Sequence, residues 1–334
     1  FFRQELRTFT EEWNDSTKDV VELQTSGSTG KPKVMQATKS AMRASAQRSL
    51  ETLHIPPGST TLLCLPLQYI AGKMMVVRAL IGDLRLITAA PSLHPYEHLS
   101  VAPQFVALTP LQAAASLEVA KEKALLEATD CIILGGGSVS HTLEDNLQSC
   151  RGRVYSTYGM TETASHIALR RVNGPSASEW YIPFDGIHVF QDEDKCLIIR
   201  QDLPQSLQTS DLLNDERLQS SLCLHTNDIV EIAPNGRDFK VIGRKDNVIV
   251  SGGIKIQAEE VEALLRQYIH TPFAIAKKKD PKFGEIVVLL VENGNAEEVG
   301  LICNEHLPHY WKPKEIIVTD ALPRTENGKI KRQL

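Results

Sequence analysis

Apolar residues follow two patterns in the first part of the chain. Leu6, Phe9 and Trp13 stand at helical spacing and predict an amphipathic helix within residues 1–20. Further on, short apolar runs bounded by turn residues predict buried strands, and longer stretches between them predict helices. The predicted strands cover residues 20–23, 61–65, 84–88, 105–108 and 131–134, and the predicted helices cover residues 39–53, 71–81 and 111–128. Strands that alternate with helices indicate a parallel sheet and an α/β fold.

The pattern changes to short strands separated by turns beyond about residue 180. Apolar segments at residues 187–190, 196–200, 222–224, 229–232 and 239–242 predict an antiparallel β unit. From Asp246 onwards, a helix at 258–268 and strands at 286–291 and 316–318 predict a small α+β module. We therefore expect an α/β protein with a large N-terminal domain of parallel and mixed sheets, residues 1–244, and a small mobile α+β C-terminal domain, residues 245–334.

Composition and charge narrow the class of protein. The chain has 334 residues and a net charge of −5, which gives no reason to expect a nucleic-acid partner. No apolar run approaches the ~18 residues of a membrane-spanning helix, and the first residues do not resemble a secretion signal, so we expect a cytoplasmic protein. The six cysteines are scattered through apolar stretches without a Cys-x-x-Cys pair, which favours buried thiols over a metal site.

A Gly/Ser/Thr-rich segment directly after the first predicted strand indicates a phosphate site. Its small residues let backbone N–H groups approach an anion, its hydroxyls add donors, and its lysines add positive charge. The segment reads Thr25-Ser26-Gly27-Ser28-Thr29-Gly30-Lys31-Pro32-Lys33. It is not a Walker A loop, because Thr25 and Pro32 occupy positions that the P-loop pattern reserves for other residues.

The same segment, with Val34 in place of a more usual Gly, resembles the ATP-phosphate motif of the adenylate-forming superfamily. That superfamily contains acyl-CoA synthetases, adenylation domains of peptide synthetases, and luciferases. The resemblance implies that Thr25, Ser26, Gly27, Ser28, Thr29, Gly30 and Lys33 bind the ATP phosphates.

The segment Tyr155-Ser156-Thr157-Tyr158-Gly159-Met160-Thr161-Glu162-Thr163 resembles the second motif of this family. The resemblance implies that Tyr158 and Gly159 contact adenine, Thr161 the α-phosphate and Glu162 a Mg²⁺ ion, which prefers oxygen ligands. Gly135-Gly136-Gly137 follows an apolar strand and, by the same resemblance, lines the adenine and acyl pocket. A tight strand-to-helix turn would also explain these glycines.

Further motifs occur in family order. Thr226-Asn227-Asp228 resembles Thr-Gly-Asp and implies that Asp228 binds the ribose; Asn227 can replace Gly if its φ is positive. The stretch from Gly243 to Glu262 resembles the next motif, with Arg244 at the ribose and phosphate, Asp246 as the hinge, and Asn247 in place of a second Asp. The same resemblance implies that Gly252, Gly253 and Lys255 belong to a coenzyme A surface.

Two features remain in the C-terminal module. Glu259, Glu260 and Glu262 are expected to solvate a helix without a chemical task. The terminal segment Pro323-Arg324-Thr325-Glu326-Asn327-Gly328-Lys329-Ile330-Lys331-Arg332 resembles the last family motif and implies that Lys329 is the catalytic lysine. A cation there would stabilise the charge that develops when a carboxylate attacks the α-phosphorus.

Only 24 residues precede the phosphate segment, whereas the family usually has a hundred or more, so a subdomain is missing or the chain is a fragment. Compact members of this kind resemble o-succinylbenzoate–CoA ligases of menaquinone biosynthesis. Residues 65–72 resemble the acyl-pocket segment of those ligases, although both histidine positions differ. The resemblance implies an acyl pocket formed by Tyr69, Gly72, Gly137 and His166.

The implied activity is an ATP- and Mg²⁺-dependent acid–thiol ligase, an AMP-forming acyl-CoA synthetase that works through an acyl adenylate. Its partners are a carboxylic acid, ATP and coenzyme A, and a homodimer is possible. Three alternatives stay open: another aryl or fatty acid as substrate, a carrier-protein thiol as acceptor, and a non-catalytic nucleotide-binding regulator.

Overall fold

The computed structural model describes residues 2–24, 34–202, 223–324 and 330–332. The chain divides into two compact units, residues 1–187 and 188–334. The domain boundary predicted between residues 244 and 245 falls inside the second unit and stays a prediction. The predicted phosphate segment, residues 25–33, and the predicted catalytic Lys329 lie outside the described residues.

The first unit alternates strands and helices over most of its length, as expected. Its elements are α1 (Phe2–Asn14), β1 (Val20–Gln24), β2 (Val34–Thr38), α2 (Lys39–Leu53), β3 (Thr60–Leu63), α3 (Ile70–Ile81), β4 (Arg85–Thr88), β5 (Phe105–Leu108), α4 (Pro110–Glu118), α5 (Ala120–Glu127), β6 (Cys131–Leu134), α6 (His141–Asn146), β7 (Arg153–Met160), β8 (Ser165–Arg171) and β9 (Ile182–Pro183).

The main sheet of this unit has the strand order β4-β3-β5-β6-β7-β8-β9. The strands from β4 to β7 pair in parallel, and β8 and β9 continue the sheet antiparallel, so the expectation of a mixed sheet is confirmed. Every residue of β5 and β6 is buried, because helices cover both faces of a parallel sheet and the sequence supplies unbroken apolar runs there. Buried residues of these strands and of α4 and α6 form one apolar core.

Local capping explains where two of the helices begin and end. α2 covers the predicted residues, since Thr38 caps its first turn and His54 ends it with a left-handed φ of 50°. The single helical stretch predicted at 111–128 is wrong. It forms two helices, because the backbone of Val119 is extended (φ −106°, ψ 115°).

The second unit begins at the boundary with a β sheet and ends with an α+β part. Its elements are β10 (Ile187–Gln191), β11 (Cys196–Gln201), β12 (Cys223–Ile232), β13 (Phe239–Arg244), β14 (Val248–Ser251), β15 (Ile254–Gln257), α7 (Ala258–Leu265), β16 (Phe273–Asp280), β17 (Gly284–Glu292), α8 (Ala296–His306) and β18 (Glu315–Thr319).

Two sheets organise this unit. The order β10-β11-β12-β13, with antiparallel β11–β12 and β12–β13 pairs, confirms the predicted antiparallel unit. The strands predicted at 222–224 and 229–232 are not separate; their described parts belong to β12, which is bent by an irregularity between Ile229 and Val230. The other sheet has the order β15-β14-β17-β16, with β18 parallel to β17, and packs on α7 and α8.

None of the helices in the described part of the chain is both long and apolar enough to cross a bilayer.

Candidate functional site

Three of the predicted site segments in the first unit lie at the same edge of the main sheet. Residues 65–72 follow the carboxyl end of β3, Gly135–Gly137 follow the carboxyl end of β6, and Tyr158 lies beyond the part of β7 that pairs with β6. Ligands of open α/β sheets bind at the carboxyl ends of parallel strands. The parallel pairing of β3, β5, β6 and β7 therefore brings together segments that are far apart in the sequence.

The glycine run after β6 lies against the neighbouring strand. A side chain at Gly135 would meet the hydroxyl of Thr157 at 2.8 Å, so the close β6–β7 contact requires glycine there. Gly136 has a φ of +81°, and a Cβ on Gly136 or Gly137 would find its nearest neighbour only at 3.8–3.9 Å. Thus Gly135 and Gly136 have structural reasons to be glycine, whereas a Cβ on Gly137 would make only ordinary van der Waals contact with Pro110, so packing does not require glycine there.

Tyr158 and Gly159 lie where β7 bulges away from β8. Tyr158 is 9% exposed, and its ring packs edge-on against Tyr181, with ring centroids 5.9 Å apart. A Cβ on Gly159 would lie 2.3 Å from the Cα of His166 and 2.3 Å from the carbonyl oxygen of Ser165. Only glycine lets the two strands approach this closely, which holds Tyr158 at the edge of the sheet.

The residues predicted to hold phosphate and magnesium form one turn of 3₁₀ helix, Thr161–Thr163. Thr163 fixes this turn, since its hydroxyl accepts a hydrogen bond from the backbone N–H of Met160 at 3.0 Å. Glu162 is exposed. A single exposed carboxylate beside a hydroxyl fits Mg²⁺, which proteins bind through one or two carboxylates together with substrate phosphates. Groups of three or more His, Cys, Asp or Glu side chains suited to a metal do not occur among the described residues.

The predicted acyl-pocket residues Tyr69 and Gly72 lie at the start of α3. Tyr69 forms a parallel bridge with Gln24, the last residue of β1 before the phosphate segment. A Cβ on Gly72 would lie 2.3 Å from the carbonyl oxygen of Pro66, so glycine is needed there for the helix to pack against the preceding turn. The acyl-pocket segment is therefore joined to the strand that leads into the predicted ATP-binding segment.

His166, the fourth predicted acyl-pocket residue, is part of a buried polar cluster that sequence reasoning missed. Its Nε2 lies 3.0 Å from the Ser49 hydroxyl and its Nδ1 lies 3.3 Å from the Arg78 guanidinium. Arg78 also donates to Ser49 Oγ at 3.2 Å and to Ser165 Oγ at 2.9 Å. Burial, followed by the charge of Arg78, holds the pKa of His166 well below its ordinary value, so the imidazole is neutral.

Arg78 is 2% exposed, and burial lowers its pKa to about 10. It forms no ion pair with a carboxylate among the residues that the structure describes. A buried guanidinium is usually paired with an anion. The one available signal in the sequence was an arginine within the apolar helix pattern of α3, which by itself is weak.

In the second unit, the predicted ribose ligand, phosphate ligand and hinge residue form one ion-paired cluster. Asp228 and Arg244 are directly opposed in β12 and β13, and Arg244 Nη1 donates to Asp228 Oδ1 at 3.0 Å. Arg244 Nη2 also donates to Asp246 Oδ2 at 3.0 Å. Asn227 is not among the described residues with a positive φ, so the reason expected for its replacement of glycine is wrong. Its side-chain amide instead donates to Asp246.

The predicted coenzyme A segment forms the tight turn of the β14–β15 hairpin. Ser251 pairs with Ile254, and Gly252 and Gly253 have φ values of +57° and +85°. A two-residue hairpin turn of this type favours glycine at both positions, so the glycines alone do not indicate a ligand. Lys255 follows on β15 and is exposed.

An aromatic ring and two cations lie beside this turn. The backbone N–H of Gly252 donates to the carbonyl of Phe283 at 2.9 Å. The ammonium groups of Lys314 and Lys282 lie 4.4 Å and 5.3 Å from the centre of the Phe283 ring. The sequence analysis did not single out these three residues, since they are brought to the turn only by the β14–β17 pairing.

Glu260 and Glu262 of α7 differ in their surroundings. Glu260 is exposed, as expected, but Glu262 is 3% exposed, so the expectation that it solvates the helix is wrong. Glu262 accepts hydrogen bonds from the backbone N–H of Ile275 at 2.8 Å and from Arg332.

The cysteines give no sign of catalytic or metal chemistry. All six are free, and five are buried. Burial raises the pKa of Cys64 to about 12, which keeps this thiol protonated and unreactive. The expectation of buried thiols is confirmed for these five cysteines, whereas Cys223 is half-buried.

Two known protein families match this chain, and the matched residues include parts of both units. Residues 6–197 match the family described as AMP-binding enzyme, and residues 273–329 match the AMP-binding enzyme C-terminal domain. The 2-succinylbenzoate–CoA ligase of Listeria monocytogenes is 27% identical over 96% of this chain and 70% of that protein.

Solved structures have the same fold. An acyl-CoA synthetase (AMP-forming)/AMP-acid ligase II-like protein of Dyadobacter fermentans is 33% identical, with a TM-score of 0.64, over 99% of this chain and 92% of that one. The O-succinylbenzoate coenzyme A synthetase of Bacillus subtilis, in complex with ATP and magnesium ion, superposes with a TM-score of 0.72 at 23% identity, over 93% of this chain and 68% of that one. Because the match to the AMP-binding enzyme family covers more than half of the chain, the chain belongs to that family.

Proposed function

We propose that the protein is an AMP-forming acid–CoA ligase whose acid is 2-succinylbenzoate. The observation that carries the proposal is the meeting of three motif segments at the carboxyl edge of the main sheet. The acyl-pocket segment, the glycine run and the Tyr158–Glu162 motif all leave that edge. Relatives with this family's sequence include several named 2-succinylbenzoate–CoA ligases.

In the proposed first step, a carboxylate oxygen of the acid attacks the α-phosphorus of ATP. The bond from that phosphorus to the bridging oxygen breaks, and pyrophosphate leaves with the electron pair. Tyr158 and the Gly135–Gly137 run hold the adenine, Asp228 accepts hydrogen bonds from the ribose, and Thr161 donates to the α-phosphate. Mg²⁺ held by Glu162 would neutralise phosphate charge. The segment 25–33 and Lys329, outside the described residues, are assigned to the leaving phosphates and to the developing charge.

In the proposed second step, the thiol sulfur of coenzyme A attacks the acyl carbon, AMP leaves, and the thiol proton passes to solvent. Coenzyme A is anionic and contains an aromatic adenine. It is supported as the thiol substrate by the turn at Gly252–Gly253, with Lys255, Phe283 and the two lysines beside that ring. Between the steps the C-terminal module turns about Asp246.

Arg78 adds support for the choice of acid through its contact with His166, a predicted acyl-pocket residue. 2-Succinylbenzoate carries two carboxylates, of which only one is activated, so its pocket needs a cation for the other. Arg78 offers a buried guanidinium without a carboxylate partner among the described residues, next to His166.

The test is pyrophosphate release by the purified protein with ATP, Mg²⁺ and a panel of acids, with and without coenzyme A. We expect 2-succinylbenzoate to be the best substrate and its CoA thioester, identified by mass spectrometry, to be the product. A faster fatty or aryl acid would overturn the choice of substrate, and thioester formation on a carrier protein but not on free CoA would overturn the acceptor. No pyrophosphate release with any acid would favour a non-catalytic nucleotide-binding protein. A cytoplasmic location and a homodimer remain predictions.

A further inference from the structure

The side-chain amide of Gln112 lies where the carboxyl ends of three neighbouring strands meet. Gln112 is in the first turn of α4, which follows β5, and it is 5% exposed. Its Nε2 donates to the carbonyl of Cys64 at 3.2 Å and to the carbonyl of Ser92 at 2.8 Å. Cys64 directly follows β3, Ser92 lies in the segment after β4, and β4, β3 and β5 are adjacent in the main sheet. One buried amide therefore joins the segments that leave these three strands.

The oxygen of the same amide holds the start of α4. Gln112 Oε1 accepts the backbone N–H of Thr109 at 3.0 Å, and the Thr109 hydroxyl accepts the backbone N–H of Gln112 at 3.2 Å. This reciprocal arrangement is a capping box, which fixes the direction of the Gln112 side chain. A capping box needs only the amide oxygen, so the two N–H contacts to Cys64 and Ser92 go beyond a capping role.

The carbonyl of Cys64 lies at the entry to the proposed acyl-pocket segment. The next residues, Leu65 and Pro66, form the turn against which Gly72 packs, since a Cβ on Gly72 would lie 2.3 Å from the Pro66 carbonyl oxygen and 2.9 Å from that of Leu65. The backbone N–H of Tyr69 also donates to the carbonyl of Pro66 at 3.4 Å. The direction of the chain at Cys64 therefore affects where Tyr69 and Gly72 lie.

The start of α4 also adjoins the glycine run. β5 lies between β3 and β6 in the sheet, so the segments after β3 and after β6 flank the start of α4. A Cβ on Gly136 would lie 3.9 Å from the Thr109 side chain, and a Cβ on Gly137 would lie 3.8 Å from that of Pro110. Gln112 therefore connects, through Thr109 and Cys64, the two segments that are proposed to border the acid.

We propose that Gln112 is a positioning residue that sets the acyl-pocket segment, residues 65–72, against the glycine run and thereby determines how tightly the acid binds. The proposal rests on the proposed function, in which both segments border the acid. Without the amide, the carbonyls of Cys64 and Ser92 lose a buried donor and residues 65–72 shift. A misplacement of ~1 Å can cost about 100-fold in rate. ATP depends less on Gln112, because the backbone N–H of Gly135 has its own bond to the Leu108 carbonyl at 3.0 Å.

The chain offers a matched control at the other edge of the same sheet. Asn173 is 3% exposed, and its Nδ2 donates to the carbonyls of Cys150 at 3.0 Å and Gly152 at 2.9 Å. Its Oδ1 accepts the backbone N–H of Val154 at 2.9 Å. These partners lie at the amino end of β7, whereas those of Gln112 lie at the carboxyl ends of β3, β4 and β5. The two amides thus bond to the backbone in the same way at opposite edges of the sheet.

Gln112→Met and Asn173→Leu remove the two amides and keep similar side-chain volumes. Each leaves two buried carbonyls without a donor, so we expect a lower Tm in both variants. The measurement is the initial rate of pyrophosphate release, well below either Tm, with 2-succinylbenzoate and ATP varied in turn. For Gln112→Met we expect KM for the acid to rise about 10- to 100-fold while KM for ATP stays within about twofold. Asn173→Leu should leave both KM values within about twofold of wild type.

An unchanged KM for the acid in Gln112→Met would overturn the proposal. Equal changes in both KM values, or the same changes in Asn173→Leu, would also overturn it, since they would show that the amide supports only the fold. If Gln112→Met does not fold, Gln112→Asn, which keeps the amide on a shorter side chain, is held to the same criteria. Wild-type protein that releases no pyrophosphate with any acid would overturn the proposed function, and the role of Gln112 with it, whatever the variants show.

Discussion

The side-chain amide of Asn227 lies 3.3 Å from each carboxylate oxygen of Asp246. Arg244 holds the same carboxylate from another side at 3.0 Å. The predicted hinge residue is therefore held in this conformation by two side chains, one of which also pairs with the proposed ribose ligand Asp228.

Replacement of the hinge residue by proline should separate the two half-reactions. Asp246→Pro fixes φ near −65°, so we expect adenylation within about threefold of wild type and at least about 100-fold slower thioester formation. Asp246→Ala is the control, because it removes the carboxylate but leaves the backbone free. An equal loss of both half-reactions in the proline variant would contradict a hinge at Asp246.

Removal of the charge on Asp228 should weaken nucleotide binding more than it weakens the fold. The Arg244 side chain is 41% exposed, so the Asp228→Asn change should lower the free energy of unfolding by about 1 kcal/mol or less. Loss of charged hydrogen bonds to the ribose should raise KM for ATP about 10- to 100-fold. Asp194→Asn, which breaks the exposed pair with Lys245, is the matched control and should leave KM for ATP unaltered. A similar KM change in both variants would argue against a ribose contact.

His166 should make stability depend on pH. Its pKa in the folded state is lowered by burial and by Arg78, so below the ordinary value of 6.5 the unfolded state binds more protons than the folded state. The contribution of His166 to the free energy of unfolding is therefore complete above pH 6.5. It falls as the pH decreases, by at most about 1.4 kcal/mol per pH unit. His166→Gln should remove that part of the slope. Denaturant unfolding of both proteins between pH 5 and pH 8 measures the difference, and parallel curves would show that His166 is not the group responsible.

Two glycines of the site should respond in opposite ways to alanine. Gly159→Ala places a Cβ 2.3 Å from backbone atoms of Ser165 and His166, so we expect a loss of about 1–3 kcal/mol or more in unfolding free energy. Gly137→Ala meets nothing closer than 3.8 Å, and its stability should be unchanged while KM for the acid rises. Thermal unfolding and acid titrations of the two variants test this contrast. Normal acid binding by Gly137→Ala would remove Gly137 from the pocket.

Arg78 should lower the KM for an acid with two carboxylates but not for an acid with one. Arg78→Met should raise KM for 2-succinylbenzoate about 10- to 100-fold, the value of one charge-assisted hydrogen bond or pair. A monocarboxylate analogue that lacks the succinyl carboxylate serves as the internal control, since its KM should change little. Equal changes for both acids would show that Arg78 supports the fold and not the second carboxylate.

Elements with a strong local signal were predictable. α2 covers the predicted residues because its periodic apolar face is bounded by a threonine cap and by a left-handed residue at its end. β5 and β6 also match, since a buried parallel strand is a continuous apolar run. In contrast, the sequence has no proline or glycine at Val119 that would predict the break between the two helices. The sequence pattern predicted two strands in place of β12, because the residues around 225–228 are polar.

By itself, the sequence determined the α/β class, the motif order and the family, because each depends on residues within a few positions of one another. The tertiary structure alone decided which distant groups meet. Arg78 reaches His166 across 88 residues, and Arg332 reaches Glu262 across 70. No local pattern encodes such pairs, since they arise only when strands and helices pack and bury the charges together. This is why Glu262, which the helix pattern placed in solvent, is buried and paired with Arg332.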